Sequence, residues 1–283
     1  DEAEMGANWL LQFSSEIEQR YLRRLSIITE LKEVLQSEQD ELSLVYQPKI
    51  SLKTRQVNGL EALIRWNSQR LGFIPPDEFI EIAEQAGFIE QVTDWVLNRV
   101  VADILILRAH QIHIKPAVNL STQDIQNRPL LERLIALLDA NELSADNITL
   151  EITESDLVAD AKIAIANLQF LQDKGFSIAI DDFGTGYSSL AYLKNLPVSA
   201  IKIDKAFVLN LSTDTEDQQI VHTVLSLSNI FDLEVVAEGV EDANAMEILA
   251  EWGCDTAQGY YISRPLPLGG LIDWLASSDY YQH

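Results

Sequence analysis

Eight short β-rich runs alternate with amphipathic helical stretches in a chain of 283 residues with 47% hydrophobic content. That pattern predicts an α/β fold, a TIM-like (β/α)8 barrel with an antiparallel first strand, preceded by a long N-terminal helix. The length suffices for one large buried core and slightly exceeds what such a barrel needs. The division that follows is a linker helix over 1–41 and a barrel domain over 42–283.

The helix comes first. From Trp9 to about Leu42, apolar residues recur in steps of three and four, at Leu10, Phe13, Ile17, Tyr21, Leu25, Ile28, Leu31 and Leu35, with no proline to stop them. Such a stripe suits either a helix packed on its own domain or a coiled-coil connector to an upstream domain or second subunit. The β-rich runs follow at 44–50, 57–65, 114–120, 147–153, 176–182, 198–204, 233–238 and 254–258. Helical patterns at 76–87, 93–110, 128–141, 159–175, 216–231 and 242–253 separate most of them, which implies a parallel sheet. Only residues 51–56 join the first two runs. A parallel crossover needs a dozen residues or more, so these two strands must be antiparallel.

Composition narrows the function. Forty-four acidic and 20 basic residues leave a net charge of -24, which disfavours duplex nucleic acid and anionic lipid. A phosphate-ester substrate would therefore require divalent cations to supply a positive field. The single cysteine, Cys254, excludes an intramolecular disulfide and makes the cytoplasm the expected compartment. The chain opens on Asp1 rather than methionine, so further segments are expected upstream, such as a sensor or a tether to the inner membrane.

In a parallel barrel the chemistry sits where the strands end. Here the exits carry Glu61, Asn119, Glu151, Asp181 with Asp182, Lys202 with Asp204, Glu238 and Gln258. One such acid is ordinarily a helix cap or half of a salt bridge. Carboxylates converging on one mouth in such number repel one another strongly unless they are compensated. Two divalent cations resolve this, and hard oxygen ligands suit Mg²⁺ or Mn²⁺ rather than zinc. Lys202 could in principle be a Schiff-base nucleophile, but acidic neighbours would keep it protonated. A protonated lysine acting on water, or a salt bridge to Asp204 or a strand-end acid, fits better. The stretch from Asp182 to Leu190 holds Gly184, Gly186 and three aliphatic hydroxyls, and reads as a loop coupled to metal occupancy.

These residues also carry a resemblance. Glu61-Ala62-Leu63 is the signature of the EAL family, and the span from about Leu42 to Pro267 resembles an EAL domain throughout. Companion motifs occur in the family's order: Tyr46-Gln47-Pro48, Ile64-Arg65-Trp66, Asn119-Leu120-Ser121, Glu151-Ile152-Thr153-Glu154, Ile201-Lys202-Ile203-Asp204, Ala237-Glu238-Gly239-Val240-Glu241 and Gln258-Gly259-Tyr260. The resemblance implies hydrolysis of cyclic di-GMP to linear pGpG by a water activated between two cations, Mg²⁺ or Mn²⁺. Glu61, Asn119, Glu151 and Asp181 would hold one cation, with Asp181, Asp182 and Glu238 holding the other. Lys202 and Gln258 would position the attacking water. Gln47, Leu63, Arg65, Asn119, Asp204 and Glu241 would contact the dinucleotide, with Arg65 as phosphate partner. Glu154 would anchor the loop after the fifth strand. An upstream GGDEF or sensor domain and a homodimer, paired near Tyr187 and Leu190, are implied as well.

Two rivals stand beside hydrolysis. One is a catalytically weak cyclic di-GMP receptor, which has no physical need for the full ligand set. The other is a barrel lyase or aldolase that uses Lys202 covalently.

Overall fold

The computed structural model describes residues 2–37, 40–154, 161–184 and 193–281, with side chains in the first helix described from residue 17 onward. In chain order the elements are α1 (Glu2–Leu35), β1 (Leu42–Ser51), β2 (Val57–Ser68), β3 (Gly72–Ile74), α2 (Pro76–Gln85), α3 (Ile89–Ala109), β4 (Pro116–Leu120), α4 (Thr122–Gln126) and α5 (Arg128–Ala140). They continue with β5 (Thr149–Thr153), α6 (Ala161–Asp173), β6 (Ser177–Phe183), β7 (Ala200–Ile203), α7 (Lys205–Val208), α8 (Thr215–Phe231), β8 (Glu234–Ala237), α9 (Ala243–Glu251), β9 (Thr256–Gln258), β10 (Leu266–Pro267) and α10 (Leu268–Ser277). The chain divides into two compact units, Asp1–Ser43 with Arg65–Val92 and Leu44–Ile64 with Thr93–His283.

In the first unit α1 packs on α2. The buried stripe of α1 is Ile27, Glu30, Leu31 and Val34, spaced as one helical face. Glu30 accepts a hydrogen bond from the Ser68 hydroxyl, and Arg23 grips Glu78 of α2 through both carboxylate oxygens. Trp66 meets Phe79 edge to face at 5.5 Å. Farther up the helix Ile17, Tyr21, Leu22 and Leu25 are exposed. The helix ends at Leu35 rather than near Leu42 because the apolar period runs out there. The Gln36 and Ser37 N–H groups then fold back to the Glu33 and Val34 carbonyls in a tightened last turn.

The second unit contains the barrel. Its strands hydrogen-bond in the order β1-β9-β8-β7-β6-β5-β4-β2, and the β1–β2 pairing closes the ring. Strand β1 runs antiparallel to β9, while every pair from β2 through β4 to β9 is parallel. The reversal follows from the short connection. Ser51 donates its N–H to the Gln56 carbonyl at 2.9 Å, and Arg55 turns the chain with φ 57°. The two added strands, β3 beside β2 and β10 beside β1, are three and two residues long. No alternation can be read from segments that short.

Aliphatic residues such as Leu60, Leu150, Ile178, Ile201 and Ala257 are fully or almost fully buried along the strands. Burial pushes the Cys254 thiol up to about 12, so it behaves as a core residue and not as a nucleophile. No helix among the described residues is long and apolar enough to cross a membrane.

Two strand exits are locked by backbone contact. Gly239 has φ 72°, and the Val240 N–H that follows donates to the Gln258 carbonyl at 3.0 Å, while Tyr261 returns a bond to the Val240 carbonyl. A Cβ at Gly259 would lie 2.1 Å from that carbonyl oxygen. Gly259→Ala should therefore cost about 3 kcal/mol or more, lowering the melting temperature by roughly 6–12 °C. Gly269→Ala is the control, since an added Cβ there meets nothing within 4 Å. Equal melting temperatures for the two variants would refute the interlock.

Candidate active site

The strand register decides which side chains meet. Asn119 on β4 lies opposite Glu151 on β5, and Thr153 on β5 lies opposite Asp181 on β6. Consecutive strand residues normally face opposite sides, so Asp181 and Asp182 would not both reach one site in a regular strand. The register slips between Ile180 and Phe183 of β6, where two residues oppose the single Lys202 of β7. Asp182 takes φ 53° there, a left-handed conformation that aspartate tolerates better than most residues. The bulge re-aims the strand at its second acid.

Lys202 is the hub. It is fully buried, and its ammonium lies 2.7 Å from Glu151 Oε2, 2.8 Å from Asp181 Oδ2, 2.7 Å from Glu238 Oε1 and 3.7 Å from Glu61 Oε2. Asp204 is not among these partners; it caps α7 by accepting from the Ala206 N–H and hydrogen-bonds Asp182. Glu61 is held from two sides, by the Asn119 amide at 3.2 Å and the Gln258 amide at 2.5 Å. Gln258 also donates to Gln47 Oε1, and Gln47 donates to the Ser263 carbonyl. The Oε1 atom of Gln258 is buried without a hydrogen-bond partner among the described residues.

Burial and charge pull these groups apart. Burial raises the Glu61 carboxyl, but the Lys202 and Lys49 charges, with the two amide donors, outweigh it and hold the group at about 2. Burial, aided by the Asp181 and Glu61 charges, pushes Glu238 up to about 8 despite Lys202. Burial and the neighbouring Asp181 and Asp204 raise Asp182 to about 6. Lys202 is lowered by burial, but four carboxylates overcome this and raise it well above a free lysine. An ammonium kept protonated by four carboxylates is a poor Schiff-base nucleophile, which argues against the lyase or aldolase reading.

One member escaped the sequence analysis. Lys49, on the interior face of β1 two residues after Gln47, forms a buried ion pair with Glu151 Oε1. Attention to parallel strand ends passes over it, because β1 runs the other way. Its signal was present nonetheless: alternation puts residue 49 on the same face as Gln47.

The remaining candidates are less centrally placed. Glu154 follows β5, is buried, and accepts the Gly184 N–H at 3.1 Å. Leu63 and Arg65 continue β2 beyond Glu61 and are partly buried, whereas Glu241 is exposed. Tyr187, Leu190 and most of the glycine-containing loop lie outside the described residues.

Two groups of acids can each offer a cation one oxygen per residue, with those oxygens within 4.8 Å of one another: Glu61, Glu151 and Asp181, and then Asp181, Asp182 and Glu238. Asp181 belongs to both. The donors are all hard oxygens, and Gln258 adds an unused buried acceptor, so this chemistry fits divalent cations such as Mg²⁺.

The chain resembles known proteins over most of its length. The EAL domain family matches residues 29–265. A cyclic di-GMP phosphodiesterase of Pseudomonas aeruginosa is 35% identical over 97% of this chain and 46% of its own length. Another from that organism, NbdA, is 38% identical over 95% of this chain and 34% of its own. The chain thus spans less than half the length of these relatives. The solved structure of the PaMucR phosphodiesterase in complex with c-di-GMP superposes with a TM-score of 0.81 at 37% identity, covering 87% of this chain and 99% of that one. The FimX EAL domain of Pseudomonas aeruginosa bound to c-di-GMP gives 0.76 at 30% identity over 85% and 96%. The chain belongs to the EAL domain family.

Proposed function

We propose that this chain hydrolyses cyclic di-GMP to linear pGpG, using two divalent cations, Mg²⁺ or Mn²⁺, held at the strand ends. The observation that carries the reading is the pair of acid groups sharing Asp181. Glu61, Asn119, Glu151 and Asp181 would hold one cation, and Asp181, Asp182 and Glu238 the second. Cations bound there supply Lewis-acid polarisation of the phosphoryl group and acidify water for in-line attack. Lys202 and Gln258 would orient that water, Gln258 through its unpartnered Oε1 and Lys202 once a bound cation relieves it of a carboxylate. Gln47, Leu63, Arg65, Asp204 and Glu241 would receive the dinucleotide, the Arg65 fork facing a phosphate. A full complement of acids favours an enzyme over a receptor. In the complete protein the reading includes an upstream sensor or GGDEF domain and pairing into a homodimer.

The direct test is purified protein with cyclic di-GMP and Mg²⁺, products separated by chromatography, with excess chelator as the control. Hydrolysis that survives the chelator would overturn the metal assignment. The pH behaviour adds a signature. Glu238 holds a proton in the metal-free fold up to about pH 8, well above its unfolded value, so metal-free stability should fall as pH rises from about 5 to 8. Mg²⁺ binding must expel that proton, so its affinity should rise across the upper part of that range. Melting curves with and without Mg²⁺ at several pH values check both signs, and a gap that narrows with pH would contradict them.

Lys202→Ala should lower kcat at least 100-fold while cyclic di-GMP binding in Ca²⁺ changes only a few-fold, because the proposed role is on water. Equal losses in both would place Lys202 with the substrate contacts. Glu154→Ala should remove most turnover with little change in melting temperature, since its carboxylate holds Gly184 at the end of the strand that carries Asp182. If Glu154 were only a helix cap, the variant would stay active and lose about 1 kcal/mol of stability.

A further inference from the structure

We infer that Lys49 is a built-in counter-ion that sets how tightly the Glu61–Glu151 half of the site binds a divalent cation. This rests on the reading of Glu61, Asn119, Glu151 and Asp181 as a cation site, and it assigns a role to a residue that lies outside that ligand set.

The geometry is specific. Glu151 is buried, and both its oxygens are held by ammonium groups, Oε1 by Lys49 and Oε2 by Lys202. The two lysines differ in what else they touch. Lys202 reaches Glu61, Asp181 and Glu238 as well, so its charge is spread over the whole cluster. Lys49 makes its ion pair with Glu151, and its charge also acts on Glu61. Both of those acids belong to the same candidate cation group. Lys49 itself is buried, sits opposite Gln258 in the β1–β9 register, and its stem passes over Gly59 of β2, which leaves it room.

A fixed positive charge beside a cation site acts in two opposite directions. Without metal, it compensates carboxylates that burial makes costly to ionise. With metal, it repels the incoming cation and competes for a Glu151 oxygen, and neither effect is screened by solvent at a buried site. Lys49 should thus stabilise the metal-free protein and weaken metal binding. A residue that merely fills space or props the sheet would have the first effect without the second.

The test is calorimetric titration of Mg²⁺ into metal-free wild type, Lys49→Met and Lys49→Gln, with melting curves in chelator and in saturating Mg²⁺. Methionine keeps the length of the stem; glutamine keeps a donor for Glu151 in case methionine fails to fold. Both variants should bind Mg²⁺ at least tenfold tighter than wild type. Both should melt lower in chelator and recover most of that loss when Mg²⁺ is added. Unchanged or weaker Mg²⁺ binding, or an equal melting loss with and without Mg²⁺, would overturn the role of Lys49 while leaving the cation site in place. Failure of the wild type to bind Mg²⁺ at all would overturn both.

Discussion

The site depends on one buried ammonium. Lys202 has no exposed surface and lies within 2.8 Å of three carboxylates from three different strands. Removing an ammonium ion from water costs several kcal/mol even after relaxation, so a lone lysine would not remain charged inside a barrel. Here the acids around it reverse the balance. The acids need the lysine equally, because ionised neighbours at these separations repel strongly when water is excluded. Without bound cations each set keeps the other charged, and the barrel brings them together by placing polar residues at strand exits after apolar ones.

That economy has a limit, which the backbone overcomes by breaking its own regularity. Strand alternation allows each strand one side chain per level, yet β6 carries adjacent acids. The bulge opposite Lys202 and the left-handed Asp182 place two acids where a regular ladder has room for one. Similar reasoning applies to Gly259, whose missing side chain lets the exits of β8 and β9 bond to each other, and to Gly239, where a Cβ would strike Lys205. Asp182 and Gly239 lie among or next to the acids, where an irregular backbone has something to position.

Much of this was legible in the residues. All eight β-rich runs are strands of the barrel, and the reversed first pair followed from the short connection between them. The strand-end acids were readable because a carboxylate closing an apolar run, as in Ile178-Ala179-Ile180-Asp181 and Val235-Val236-Ala237-Glu238, stands out. What the sequence could not convey was the pattern of pairing. Lys202 could be assigned to Asp204 or to another strand-end acid, and only the register between strands separates these, because interstrand neighbours lie tens of residues apart in the chain. The bulge was hidden as well, since Asp181-Asp182 reads equally as a strand ending or as a strand deformed. Residue periodicity likewise placed α1 correctly but ran it past Leu35, where the last apolar residue leaves no pattern to mark a boundary.

The reversal of β1 has a consequence beyond topology. A parallel strand brings its end to the mouth, where the chain is about to leave for a loop. An antiparallel strand instead passes the mouth in mid-strand, with hydrogen bonds on both sides and the chain continuing through the barrel wall. Gln47 and Lys49 both occupy such positions, and Lys49 lies level with Gln258. This makes it possible for a second lysine to be held rigidly enough to share Glu151 with Lys202. The inverted strand therefore adds a second buried positive charge to the site, beside the one that Lys202 brings from parallel β7.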